Sequence, residues 1–95
     1  MATMTIATAE RMAEVLGGRV WTGGEHVRVY VGRGKSESCI SVAADGAFHV
    51  AVGRGVHEAE VTRALVAAGL ATGRLVETAY GTSYYDDVRV VEVQS

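Results

Sequence analysis

Apolar and polar residues alternate along most of this chain, and two stretches break the alternation with helical spacing. Met12, Val15 and Leu16 form one such stripe, which predicts a first helix over Ala9–Leu16. Thr8 is its expected N-cap, and Gly17-Gly18 stop it. Arg19–Thr22 and Glu25–Val31 then alternate with a period of two around Gly23-Gly24, the pattern of a tight hairpin. A two-residue loop pairs Thr22 with Glu25 and Val20 with Val27. Val20, Val27, Val29 and Val31 then share one face, and Arg19, Trp21, His26, Arg28 and Tyr30 the other.

A second hairpin is expected from Ser38–Ala43 and Ala47–Val52. Its turn follows from where the large apolar residues must go. A two-residue Asp45-Gly46 loop would strand Ile40 and Val42 on the face opposite Phe48, Val50 and Val52. A three-residue loop, Ala44-Asp45-Gly46, places all five together, and Gly46 suits the left-handed bulge position such a loop requires. The two hairpins also echo each other. Val27–Gly34, VRVYVGRG, aligns with Phe48–Gly55, FHVAVGRG, and the alignment sets His49 and Ala51 on the same outer face as Arg28 and Tyr30.

Val56–Ala68 reads as a second helix, with Val61, Ala64, Leu65 and Ala68 on its apolar stripe and Glu58 and Glu60 in its first turn. Gly69 fits the left-handed position after it, and Leu70 is placed to close on Leu65. Two strands finish the chain, about Arg74–Tyr80 and Val88–Val93, joined by Gly81-Thr82-Ser83-Tyr84-Tyr85-Asp86-Asp87. The expected architecture is α+β in the order α-β-β-β-β-α-β-β. It is an antiparallel sheet of about six strands, two consecutive hairpins and then a C-terminal one, with both helices on one face.

Ninety-five residues suit a single compact domain over 1–95, and 48% hydrophobic with 21% charged residues is a globular balance rather than a disordered one. No apolar run approaches the roughly 20 residues that span a bilayer, and the N-terminus has no signal-peptide pattern. The lone cysteine, Cys39, allows no internal disulfide and fits a reducing cytoplasm. A net charge of −2 lacks the broad basic field of a nucleic-acid binder.

The stretch Val31-Gly32-Arg33-Gly34-Lys35-Ser36 ends like a phosphate-binding loop, G-x-x-x-x-G-K-[ST]. The first glycine of that motif would stand at position 29, which is Val29, and a strand follows where the motif needs a helix. It is therefore not a P-loop. Both Val-Gly-Arg-Gly stretches nonetheless end alternate strands and should emerge at one end of the sheet. Arg33, Lys35, Arg54 and His57 would then form an anion-binding group beside the second helix, against which Glu58 and Glu60 count, as does the alternative of plain solvated turns.

Trp21, His26, Arg28, Tyr30 and His49 give the outer sheet face the aromatic-and-arginine mixture of an interface, unless the C-terminal strands cover it and make Trp21 ordinary core. Tyr84, Tyr85, Asp86 and Asp87 read as a tyrosine-rich, acidic hairpin loop suited to recognition. His26, Cys39, His49 and His57 lack metal-ligand spacing, so no metal or cofactor is expected. No catalytic motif is present, and the reading leans away from an enzyme. The expected function is a small cytoplasmic module that docks on another protein or on itself, leaving room for a homodimer. An inhibitor or regulator carried by a mobile element would be such a protein. The alternative is a small-ligand protein or enzyme that takes an anionic group through Arg33 and Arg54.

Overall fold

The computed structural model describes residues 4–24, 26–43, 46–77 and 83–93. Its elements run α1 (Ile6–Leu16), β1 (Arg19–Gly23), β2 (His26–Val31), β3 (Ser38–Val42), β4 (Phe48–Ala51), α2 (Glu58–Ala67), β5 (Ala71–Glu77) and β6 (Ser83–Val90), with one 3-10 turn at Gly34–Ser36. The α+β class and the element order are those the hydrophobic pattern predicts. All pairings are antiparallel, and the strands form two sheets, β1-β2-β3-β4 and β5-β6. No helix among the described residues is long and apolar enough to cross a membrane.

One apolar cluster joins these parts. Ala9, Met12, Val29, Ile40 and Leu65 are completely buried within it, with Met4, Val61, Leu70 and Ala71 close behind. Helix α1 packs on β1 and β2, while α2 packs on β4 and on both strands of the second sheet. The second sheet is tied to the first where the Val90 amide donates to the Gly46 carbonyl at 3.2 Å. It closes the helix side of the core and leaves the other face of the four-stranded sheet free.

Helix α1 starts three residues before the expected Ala9, at Ile6, and its N-cap is Thr5 rather than Thr8. The Thr5 hydroxyl accepts from the Thr8 amide at 3.1 Å. Thr8 is instead fully buried and ties the C-terminal segment to the helix. Its hydroxyl accepts from the Val93 amide at 2.7 Å and donates to Glu92 Oε2 at 3.1 Å. The same carboxylate oxygen accepts from the Thr5 amide at 3.3 Å. With no acidic residue in its own first turn, α1 receives from Glu92 the negative charge its N-terminus favours. Thr8→Val is expected to cost about 1–3 kcal/mol, because it strands the half-buried Val93 amide and leaves the Glu92 carboxylate without its hydroxyl donor. Thr5→Ala should cost about 1 kcal/mol as an ordinary lost cap. Urea denaturation measures both, and amide exchange at Val93 should accelerate only in the first.

The first hairpin turns one residue later on each side than expected. Gly23 belongs to β1 and pairs with His26, and Val20 pairs with Val29 rather than Val27. The shift in register is even, so each residue keeps its predicted face. The second hairpin has the predicted register, with Ile40 opposite Val50 and Val42 opposite Phe48, and Gly46 at φ 87°. Val52 is a correction, since it lies past β4 and is 37% exposed rather than core. Helix α2 is shorter than the expected Val56–Ala68, because Arg54-Gly55 forms a turn that delays its start to Glu58. Its end is as expected. The Gly69 amide donates to Val66 O at 3.1 Å and the Leu70 amide to Leu65 O at 2.9 Å, the paired bonds of a Schellman motif.

The C-terminal strands both lie earlier in the chain than predicted, with Ala71 paired to Val90 and Glu77 to Ser83. The expected extension of β5 to Tyr80 falls outside the described residues.

Candidate functional site

Strand alternation builds the outer face of the four-stranded sheet from Arg19, Trp21 and Gly23 on β1, His26, Arg28 and Tyr30 on β2, Cys39 and Ser41 on β3, and His49 and Ala51 on β4. None of these residues is fully buried, whereas Val29 and Ile40 behind them are completely so. The C-terminal strands therefore do not cover this face, and Trp21 is not core. It stands 44% exposed.

Two cross-strand pairs organise this surface. Trp21 lies opposite Arg28, whose guanidinium carbon sits 5.5 Å from the indole centroid. Tyr30 lies opposite Arg19, at 5.7 Å from its ring. The aromatic and cationic partners thus swap strands from one row to the next. Each stacking interaction is worth about 0.5–1 kcal/mol at an exposed site.

Arg19 has further partners, donating to the Gly32 carbonyl at 2.9 Å and forming a close ion pair with Glu37. Arg28 has the indole, and among the described residues its N–H groups meet no acceptor. Trp21 is itself held down by an absence. A side chain at Gly23 would land on the six-membered ring of the indole, so the glycine gives the ring room to lie along its own strand. The spacing of Trp21 and Gly23, two apart on a strand, is the sequence signal for this, and it is legible only once Gly23 is assigned to β1.

The two Val-Gly-Arg-Gly stretches do meet at one end of the sheet. The Arg54 amide donates to the Lys35 carbonyl at 2.6 Å, and the Gly53 amide donates to Ser38 Oγ at 3.4 Å. Arg33, Lys35, Arg54 and His57 are all exposed there. Among the described residues their side chains have no hydrogen-bond or ion-pair partner. His57 is the N-cap residue of α2 but makes no side-chain capping bond, and Glu58 and Glu60 occupy the first turn.

Cys39 lies opposite Tyr30 and Ala51, His49 opposite Ser41, and His26 opposite Gly23, so the cysteine and these histidines share a face but occupy three different rows. Among the described residues no group of three His, Cys, Asp or Glu side chains is arranged to hold a metal ion.

Tyr84, Tyr85, Asp86 and Asp87 are not a hairpin loop. They lie within β6, where Tyr84 pairs with Val76, Tyr85 with Leu75 and Asp86 with Arg74. The prediction failed because a β-bulge sits among them. The register shifts between Thr72 and Arg74, and Asp87 takes a left-handed φ of 49°. A bulge and a turn draw on the same residue types, since Asp tolerates φ > 0 better than most side chains. Tyr85 is half-buried, and the Tyr84 side chain lies outside the described set. Asp86 bonds Arg74 and Asp87 bonds Arg89, each at 3.3 Å and each exposed. Such pairs contribute at most about 1 kcal/mol. The acidic pair is thus already matched by cations of its own sheet.

No protein-family model matches the chain, and no curated protein or solved structure is detectably similar to it.

Proposed function

We propose that the chain is a small non-enzymatic binding module that docks on another protein, or on a second copy of itself, through the outer face of its four-stranded sheet. One observation carries this reading. Trp21, the chain's one tryptophan, lies 44% exposed under the Arg28 guanidinium on the edge strand β1, on a sheet face that neither helix nor the second sheet covers. Tryptophan and arginine are the residue types that most often dominate binding energy at interfaces. A ring already held between Gly23 and Arg28 loses little conformational freedom on docking.

Sedimentation velocity from about 1 µM to 1 mM separates the two kinds of partner. Association of the wild type that Trp21→Ala removes would make a second copy the partner. A monomer throughout directs the search to another protein, by panning a random-peptide display library on wild type and on Trp21→Ala. Trp21→Ala is expected to weaken partner binding by about 2 kcal/mol, or roughly 30-fold, while leaving stability within about 1 kcal/mol of wild type. A partner that binds Trp21→Ala as tightly as wild type places the docking surface elsewhere.

A second reading is favoured by the contact between the two glycine-arginine loops. The 2.6 Å bond from the Arg54 amide to the Lys35 carbonyl sets two cationic residues side by side, with Arg33 and His57 in the adjoining turns. This end of the sheet would take a small anionic group. Thermal shift with inorganic phosphate and pyrophosphate tests it. Stabilisation of the wild type that Arg33→Ala/Arg54→Ala abolishes would support it, and identical shifts in both proteins would remove it.

A further inference from the structure

The chain carries 11 Asp and Glu residues against 9 Lys and Arg, yet none of the acids occupies an outer-face position of β1, β2, β3 or β4. On a chain with excess negative charge, the strand positions of this face carry Arg19, Arg28, His26 and His49 and no acid. Glu37, just before β3, is held by Arg19. Arg19 also donates to Gly32 O, so its hydrogen bonding is directed within the protein.

Arg28 differs. Its guanidinium carbon lies over the indole of Trp21, 5.5 Å from the ring centroid, and its N–H groups have no acceptor among the described residues. It is half-buried in the sheet surface, which restricts the rotamers of its long side chain. A guanidinium held over an aromatic ring, with N–H donors that meet no acceptor among the described residues, can take the two oxygens of a carboxylate in a bidentate pair.

From this we infer that the partner presents an acidic peptide segment, with an Asp or Glu side chain seated on Arg28 and its neighbouring apolar atoms on Trp21. The inference rests on the docking reading above and names the chemistry of its partner. A single-stranded nucleic acid fits less well. Its bases need open aromatic faces, and Trp21 and Tyr30 each carry a guanidinium on one face.

The test uses the whole chain in four forms: wild type, Trp21→Ala, Arg28→Lys and Gly23→Ala. Arg28→Lys keeps the charge and loses the fork. Gly23→Ala keeps every contacting residue but lifts the indole from the strand. A random-peptide library is panned on each, and a blocked octaglutamate peptide and octathymidylate are titrated at physiological salt while backbone amides are followed by NMR. The inference expects acidic peptides from wild type only, and octaglutamate shifts confined to β1 and β2 around Trp21 and Arg28. Its affinity should fall about tenfold in Arg28→Lys and in Gly23→Ala, the loss of one charge-assisted pair. Octathymidylate binding more tightly than octaglutamate at the same amides would overturn it in favour of nucleic acid. Neutral or basic peptides that depend on Trp21 would overturn it and leave the docking reading standing. No peptide that depends on Trp21 would remove both.

Discussion

Replacing Gly53 by alanine is expected to destabilise the protein by about 3 kcal/mol, the upper part of the range for forcing atoms into a packed site. The added Cβ would lie 2.5 Å from the Ser36 carbonyl carbon, 2.6 Å from the Lys35 carbonyl oxygen and 2.7 Å from the Glu37 carbonyl oxygen. All three are main-chain atoms, so no rotamer change relieves the clash. Gly53 does not adopt a left-handed φ, which makes its requirement one of space alone. Gly55, two residues on, provides the contrast. It sits at φ 79° with nothing within 4 Å of its missing Cβ, so Gly55→Ala should cost only the conformational 1–2 kcal/mol or so. Urea denaturation of the two variants measures the difference. A smaller loss for Gly53→Ala than for Gly55→Ala would mean that the two loops do not press together. The consequence reaches function as well, because the crossing at Gly53 is what brings Arg54 to Lys35. A variant that stays folded with its loops parted should also lose any stabilisation by phosphate.

Gly53 shows where the chain was legible and where it was not. The repeat of Val-Gly-Arg-Gly predicted that both loops would emerge at one end of the sheet, since alternate strands of a meander point the same way. That Gly53 is packed between main-chain atoms follows only from the pairing of β2, β3 and β4 in space. Strand faces were the most legible feature, because the side-chain period of two survives an even slip in register, as it did between Val20 and Val29. The register of β3 and β4 followed from the need to bury Ile40 beside Val50. The strand ends were less legible, most of all in β6, where a bulge at Asp87 looks like a turn in sequence.

The outer face was readable as a set of residues but not as a site. Trp21, Arg28 and Tyr30 could be assigned to one side from alternation. Whether the C-terminal strands would cover them depended on where the second sheet docks, which the bond from Val90 to Gly46 decides. The pairing of Arg19 with Glu37, which separates its role from that of Arg28, was also hidden. Thr8 illustrates the same limit at the other end of the chain. A threonine before a helical stripe is a good cap by local rules, and only contact with Glu92 and Val93 reveals it as a buried tie.

Leu65→Ala should produce the largest loss of all, and it should do so for every probe at once. Leu65 is completely buried, and it stands on α2, the helix that packs on β4, β5 and β6. Its main-chain carbonyl also closes the Schellman motif on Leu70, which is 3% exposed in the same cluster. Truncation to alanine removes the side-chain contacts and leaves a cavity that helix and sheets cannot collapse to fill, at a cost of about 3–5 kcal/mol. A chain of this size has only about 5–15 kcal/mol of stability to lose. Trp21 fluorescence reports the far edge of the four-stranded sheet, while far-UV circular dichroism reports both helices. Because Val29 and Ile40 of that sheet share one cluster with Leu65 and Ala71, the two urea transitions should shift together and remain coincident. Separation of the transitions, with the Trp21 signal holding its midpoint while the helical signal falls, would mean that the two sheets unfold as separate units. The outer face would then be a module that stands without α2, and the search for its partner could begin from the β1–β4 meander and α1 alone.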